Sequence, residues 1–215
     1  MTMRIRMYEP CDKADAYHVC LKTGDHGKDG EAFYREDPDA LGRIYVGPYL
    51  EFEPELALIL EDDAGVCGYA LGALDSKEFF DRYETEWRPE LVAQFPEPTG
   101  DKTNWSRAEE TYFLYHHPDY FCPEPYEKFP SHLHIDLVER AQGKGLGRQM
   151  IERLLTRLRE RGSVGVHLGM SITNDPAYGF YRRLGFEELI RDEDSIYMGM
   201  SWADSAAGAS PSRVP

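Results

Sequence analysis

The sequence predicts a mixed α/β domain, an α+β fold with one mixed sheet and helices on both faces. Three observations predict it. A hairpin-like pair of apolar runs lies in the first half. Two strand-turn-helix units follow in the second half, and two further strands close the pattern. The length of 215 residues fits one ordinary domain, expected over 1–202 with an irregular insertion at about 88–130.

Arg4-Ile5-Arg6-Met7-Tyr8 alternates and reads as the first strand. Asp12 is placed to cap a helix over 13–22 whose inner face is Ala16, Val19 and Cys20. Thr23 to Gly30 is polar and glycine-rich, hence a loop. Leu56 to Leu60 and Val66 to Gly72 flank the turn Asp62-Asp63-Ala64-Gly65 and predict a hairpin. The glycines of its second strand suggest a bulge or a close backbone approach. Ser76 reads as the N-cap of a helix carrying Phe79, Phe80, Tyr83 and Trp87 at spacings of three and four. Seven prolines and many aromatics make 88–130 read as irregular. Its aromatic residues either cover a substrate or seal the core.

Ser131 to Val138 is again a strand. It leads through a glycine-rich turn to a helix over 146–161, with Met150, Ile151, Leu154, Leu155 and Leu158 as one stripe and Gly162 as its stop. Val164 to Met170 is a strand, 174–184 a short helix ended by Gly185, and Phe186 to Ile190 and Ser195 to Trp202 the last strands. The small, polar tail from Ala203 is expected to be disordered.

The formal net charge is −15, so phosphate repulsion argues against a general nucleic-acid binder. The acid is unevenly spread. Residues 131–162 carry seven basic against four acidic side chains, whereas 1–130 carry 13 against 28. The basic stretch is either an ordinary helix surface or the place that meets an anion; the acidic part favours a cationic partner. No apolar run approaches the roughly 20 residues of a membrane helix, and residues 1–6 lack the apolar centre of a signal peptide. Cys11, Cys20, Cys67 and Cys122 show no metal-ligand spacing, so no metal site is expected. They read as reduced thiols of a cytoplasmic protein.

The chemistry concentrates at Gln142-Gly143-Lys144-Gly145-Leu146-Gly147-Arg148, between a strand and a helix. Glycines let the backbone approach an anion, a helix start offers unpaired N–H groups, and Lys144 and Arg148 add charge. This suits a phosphate or pyrophosphate. The turn is neither a Walker loop, since no Gly-Lys-Ser/Thr ends it, nor a dinucleotide fingerprint, since the glycine spacing differs. A second motif follows the next strand: Asn174, Ala177, Tyr181, Gly185 and Phe186 stand as N-x-x-A-x-x-x-Y-x-x-x-G-F.

Together, Q-x-x-G-x-G and this second motif resemble the GNAT superfamily of acetyl-CoA-dependent N-acetyltransferases. The resemblance implies a central mixed, mostly antiparallel sheet of about seven strands with helices on both faces. It implies acetyl-CoA as cosubstrate, with the turn Gln142, Gly143, Lys144, Gly145, Leu146, Gly147 and Arg148 on its pyrophosphate. Leu137, Val138 and Glu139 would pair their backbone with the pantetheine arm. The same strand would splay from the one at Val164–Met170 to leave a wedge for the cosubstrate. The resemblance further implies Asn174 as a ligand of that arm and Tyr181 as the acid that protonates the leaving thiolate. A phenol of pKa about 10 is a usable acid for that task. From the residues alone, Asn174 reads equally as a helix N-cap and Tyr181 as a buried helix-face tyrosine.

A general base is less sharply marked. Asp136, one residue before Leu137, is an acid within an apolar strand and needs a partner or a task. His134 shares its strand face. His116, His117 and Tyr120 are further candidates in the insertion.

Tyr45 to Leu50, Glu53 to Leu56, Cys67 to Asp75 and Leu133 to Leu137 also resemble the C-terminal acetyltransferase-like domain of O-GlcNAcase and its stand-alone bacterial homologues. The animal domain has an eroded cofactor turn, whereas Gln142, Gly145 and Gly147 are kept here, so cofactor binding is expected. No sugar-cleaving activity carries over. The expected reaction is acetyl transfer to a primary amine, in a small cationic molecule or in a protein lysine or N-terminus. The competing expectation is a non-catalytic acetyl-CoA-binding or protein-interaction module. No nucleic acid or membrane partner is expected, and the assembly is expected to be a monomer or homodimer.

Overall fold

A computed structural model of the chain describes residues 2–202. Seven strands form one sheet: β1 (Arg4–Met7), β2 (Ala57–Asp62), β3 (Gly65–Ala73), β4 (Ser131–Leu137), β5 (Gly165–Ser171), β6 (Glu187–Arg191) and β7 (Ser195–Ser201). Their order is β1-β2-β3-β4-β5-β7-β6. Every pairing is antiparallel except β4 with β5. This is the expected mixed, mostly antiparallel sheet.

Helices cover both faces. On one, α7 (Leu146–Glu160) buries Met150, Ile151, Leu154, Leu155 and Leu158 against Leu58, Leu60, Ala70, Leu133, Val166 and Leu168. Each large apolar side chain so buried contributes about 1.5–3 kcal/mol of transfer free energy. On the other, α1 (Lys13–Thr23) sets Ala16, Val19 and Cys20 on Ala57, Ile59, Tyr69 and Leu71. A third, aromatic cluster joins Phe52, Phe79, Tyr83, Leu91 and Tyr115 at the end of the sheet.

Several expectations need correction. Asp12 does not cap α1 with its side chain. It binds Arg6 through both oxygens, at 2.6 and 2.7 Å, and accepts the Glu9 amide at 2.8 Å. Asp75, not Ser76, caps α4 (Ser76–Arg82), accepting the Glu78 amide at 3.0 Å. The expected bulge is present: Leu60 and Glu61 of β2 face Gly68 and Val66, so Cys67 of β3 is the extra residue, beside Gly68. The expected close approach is there too: a Cβ at Gly68 would lie 3.0 Å from the Asp136 carbonyl oxygen.

The two short helices α2 (Ala40–Tyr45) and α3 (Gly47–Phe52) were not anticipated. Nor is 88–130 wholly irregular. It holds α5 (Arg88–Gln94), which continues α4 through a π-helical turn, and α6 (Arg107–His116). Pro89 sits in the first turn of α5, where a missing N–H costs little. Ser106 and Glu109 cap α6 reciprocally. The expected disordered tail lies outside the described residues.

The parallel pair positions the site. β4 and β5 meet only at Ser131↔Val166 and His132↔His167. Ser131 Oγ donates to Leu74 O, and it lies 2.7 Å from Ser163 Oγ, just ahead of β5. Beyond His132 the two strands diverge, leaving the edge of β4 from Leu133 onward open.

Candidate active site

α7 begins where the chain must turn sharply. Gly143 and Gly145 have φ of +71° and +75°, a left-handed conformation that glycine adopts without steric cost. The first helical amide to find a carbonyl is that of Gln149, on Gly145 O at 3.2 Å. The amides at 143–148 therefore stand bare at the positive end of a 15-residue helix. Gln142 folds its side chain back, Nε2 donating to Leu137 O at 2.7 Å, which ties the turn to the end of β4.

These amides open on a cavity of about 730 Å³. Of the residues expected at a cofactor site, Leu137, Gln142, Gly143, Gly145, Leu146, Gly147, Arg148, Asn174 and Tyr181 line it, and so does Asp136. Three expected residues do not. Lys144 turns its ammonium onto Arg140 O at 2.8 Å. Val138 and Glu139 face a neighbouring depression that also holds Lys22, Lys28 and Arg140.

Residues that sequence reasoning missed complete the wall: Thr23 at the end of α1, His26, Gly27 and Lys28 from the loop after it, and Phe180 and Arg183 from α8 (Asp175–Leu184). The polar, glycine-rich composition of that loop was the available signal. It also contains His26, among the described residues the one non-glycine with positive φ, at +51°. Asn174 is the helix N-cap that the residues suggested, and it stands at the cavity wall. Its Oδ1 accepts the Ala177 amide at 3.2 Å as the N-cap of α8, and the residue lines the cavity beside Gly27.

A smaller cavity of about 330 Å³ continues inward between β4, β5 and the loop after α1. It shares Asp136, Asn174 and Tyr181 with the large cavity and adds His134. Here the candidate catalytic groups meet. Asp136 Oδ2 accepts a 2.5 Å hydrogen bond from the Tyr69 hydroxyl. His134 Nε2 lies 3.0 Å from the same oxygen, but off the line of a hydrogen bond; this nitrogen is shut off from solvent and has no hydrogen-bond partner. The His134 ring is stacked on Tyr45 and tilted against Tyr69. Burial, reinforced by the Asp136 charge, pushes the Tyr181 phenol well above its ordinary pKa, so it stays protonated at neutral pH.

A third cavity, of about 370 Å³, opens beyond His134. It shares Tyr45, Leu133, His134, Gly169 and Met170 with the second and is roofed by Leu114, Pro118, Asp119, Tyr120 and Phe121 of the insertion. The other base candidates are engaged elsewhere. His116 Nε2 lies 2.8 Å from Phe95 O and His117 Nε2 2.6 Å from Glu97, and neither lines these cavities. Tyr120 does line the third cavity, but its hydroxyl donates to Glu84 at 2.6 Å. Among the described residues no cluster of His, Cys, Asp and Glu could hold a metal ion, and no helix is long and apolar enough to cross a membrane.

Comparison with known proteins agrees with this geometry. The family described as Acetyltransferase (GNAT) matches residues 27–186. Protein O-GlcNAcase of Mus musculus is 30% identical over 203 residues, which is 92% of this chain but 22% of that protein. The chain thus spans about a fifth of the length of the curated relatives it matches. The crystal structure of SsHAT superposes with a TM-score of 0.85 at 38% identity, covering 94% of this chain and all of the other. A phosphinothricin acetyltransferase of Sinorhizobium meliloti, crystallised with acetyl-CoA, shares the fold at a TM-score of 0.56 and 16% identity, covering 100% of this chain and 96% of its own. Acetyl transfer in general, with acetyl-CoA as cosubstrate, comes with these findings, and the chain belongs to the GNAT acetyltransferase family.

Proposed function

We propose that this protein is an N-acetyltransferase that moves the acetyl group of acetyl-CoA to a primary amine by direct attack, with no covalent acyl-enzyme. The observation that carries this reading is that the inner cavity, lined by Asp136, His134 and Tyr181 where β4 and β5 part, joins the large cavity through Asp136 and Tyr181 and the third through His134. The chemistry of the large cavity suits coenzyme A. Bared amides at the start of α7 fit a pyrophosphate. The open edge of β4 offers N–H and C=O groups to an amide-bearing arm. Leu137, Leu146 and Phe180 supply apolar wall.

When bound, acetyl-CoA supplies an activated thioester carbonyl. The task of the protein is then to manage two protons. Asp136, oriented by Tyr69 and flanked by His134, receives the proton that the amine loses as its nitrogen bonds to the acetyl carbon. Tyr181, kept protonated by burial, gives a proton to the sulfur as the carbon–sulfur bond breaks. The leaving thiolate shares the same desolvated cleft, so its proton affinity is raised along with that of the phenol.

The test is Tyr181→Phe, read by thiol release and by calorimetric titration with acetyl-CoA. Loss of a general acid should lower kcat by about 10²–10³ while the acetyl-CoA affinity stays within a few-fold of wild type. Undiminished kcat in the variant would remove Tyr181 from the chemistry. A wild-type protein that binds acetyl-CoA but releases no thiol with any amine would mark a binding module instead.

A further inference from the structure

Among the described residues, the side chains that leave buried polar atoms without hydrogen-bond partners gather around the third cavity. Among the described residues, three buried side-chain nitrogen or oxygen atoms lack a hydrogen bond: Tyr83 Oη, His132 Nε2 and His134 Nε2. All three residues line this one cavity. Leaving a buried polar atom unpaired costs about 1–3 kcal/mol, and three such atoms converging on one space point to a ligand that completes them.

The protonation of His132 can be worked out from its neighbours. Ser76 Oγ lies 2.8 Å from Pro130 O, which can only accept, so the hydroxyl proton lies between those two oxygens. Ser76 Oγ is also 2.8 Å from His132 Nδ1. With its own proton committed, the serine oxygen must accept there, and Nδ1 carries the hydrogen. His132 Nε2 is then a bare lone pair on a ring that lines the cavity, and it calls for a donor. His134 follows two residues along β4, about 7 Å at the rise of a strand, and its Nε2 lies beside the Asp136 carboxylate. Neither Tyr83 nor His132 reaches the inner cavity of Asp136 and Tyr181, so these two atoms belong to the end remote from the chemistry.

The walls between the two ends are flat and apolar. His132, Phe80 and Tyr120 form a stack, with ring centroids 5.1 and 4.7 Å apart. Phe121 lies on Tyr197 at 3.6 Å. Asp119 is the one carboxylate in the lining. A polyamine or an aminoglycoside would want several carboxylates, and the acidity of the chain as a whole is not gathered here. The volume of about 370 Å³ is at the low end for small-molecule sites.

We propose that this cavity takes the acetyl acceptor, and that the acceptor is a small aromatic primary amine with a hydrogen-bond donor at the end remote from its nitrogen. This deepens the acetyl-transfer reading and rests on it for the reaction, though not for the binding. The amine sits by His134 and Asp136, the ring lies among Phe80, Tyr120 and Tyr197, and the distal donor meets His132 Nε2 with Tyr83 Oη beside it.

The test separates binding from transfer. Protein saturated with coenzyme A is titrated calorimetrically with tyramine, 2-phenylethylamine, spermidine and a lysine-containing peptide. Tyramine should bind at least tenfold more tightly than 2-phenylethylamine, which lacks only the hydroxyl, and spermidine and the peptide more weakly still. Tyr83→Phe and His132→Phe should each shrink the tyramine preference toward unity, with coenzyme A affinity unchanged as the check on folding. Tighter binding of spermidine or the peptide, or a tyramine preference that survives in both variants, would overturn the proposal. Thiol release with the same amines is scored separately: tyramine binding without turnover would overturn the acetyl-transfer reading and leave the ligand assignment standing.

Discussion

Tyr69 on β3 and Asp136 on β4 face each other directly across the antiparallel ladder, and the buried phenol donates a 2.5 Å hydrogen bond to the carboxylate. Burial and the facing Asp136 charge hold the phenol far above its ordinary pKa, so it remains a donor at any working pH. The carboxylate is thereby aimed, and in the proposed reaction its second oxygen is the one that meets the amine. Tyr69→Phe removes the donor and changes little else in volume. A hydrogen bond to a charged group is worth about 1.5–3 kcal/mol, so denaturant unfolding should show a loss of that order. The kcat of acetyl transfer should fall about tenfold, since 1.36 kcal/mol of barrier is a factor of ten. Acetyl-CoA affinity should hold, because the pyrophosphate turn lies elsewhere. An unchanged kcat would mean that Asp136 needs no orientation from Tyr69.

The turn before α7 permits a paired prediction. A Cβ at Gly145 would meet nothing within 4 Å, so Gly145→Ala adds backbone strain without a clash. The left-handed conformation costs an alanine roughly 1–2 kcal/mol. Gly162, with φ of +93° and equally open surroundings, is the matched control. Both variants should lose similar stability in urea. Only Gly145→Ala should weaken acetyl-CoA, by about tenfold or more, because relaxing its strain moves the bared amides. Equal coenzyme affinities in the two variants would detach the turn from cosubstrate binding.

Much of this architecture is written in local pattern. The stripe of α7, the alternation of β4 and the Asn174 and Gly185 boundaries of α8 depend on residues a few positions apart, and each was legible. The Gln142–Gly147 turn was legible for the same reason. The insertion misled because seven prolines outweighed a single capping box, Ser106 with Glu109, that signalled α6. The short helices α2 and α3 abut at Val46-Gly47-Pro48 and fall below any reliable period. The pairing of Tyr69 with Asp136 spans 67 residues, and the three unpaired atoms of the third cavity come from β4 and from the turn after α4. Such relationships arise from sheet register and packing, which no local period encodes.

Ser106→Ala tests whether α6 holds the roof of the third cavity. Ser106 Oγ accepts the Glu109 amide at 3.2 Å, and Glu109 Oε2 accepts the Ser106 amide at 2.7 Å. Loss of such a cap costs about 0.5–2 kcal/mol, a drop in Tm of a few degrees for a chain of this size. Because α6 leads directly into Pro118–Phe121, the KM for the amine should rise more than that for acetyl-CoA. A cap that costs stability while leaving both KM values alone would make α6 a purely structural element.

The buried histidines set the acid limit of stability. Burial, then the facing His167 and His134 rings, push His132 well below the ordinary histidine pKa; burial likewise lowers His167 despite carbonyl oxygens near both its nitrogens. In the unfolded chain both titrate near 6.5. Between that value and the lower folded pKa the unfolded state binds more protons, so stability rises with pH there. The stability is intact above about pH 6.5 and is lost as the pH falls below it, by up to about 1.4 kcal/mol per pH unit for each group. Urea unfolding at pH 7.5, 6.5 and 5.5 should therefore show little change across the first interval and a clear loss across the second. His132→Phe, with no proton to bind in either state, should lose less across the second interval than wild type. An identical pH slope in wild type and His132→Phe would mean that His132 is charged in the folded protein, and its ring would then offer the third cavity a donor in place of a lone pair.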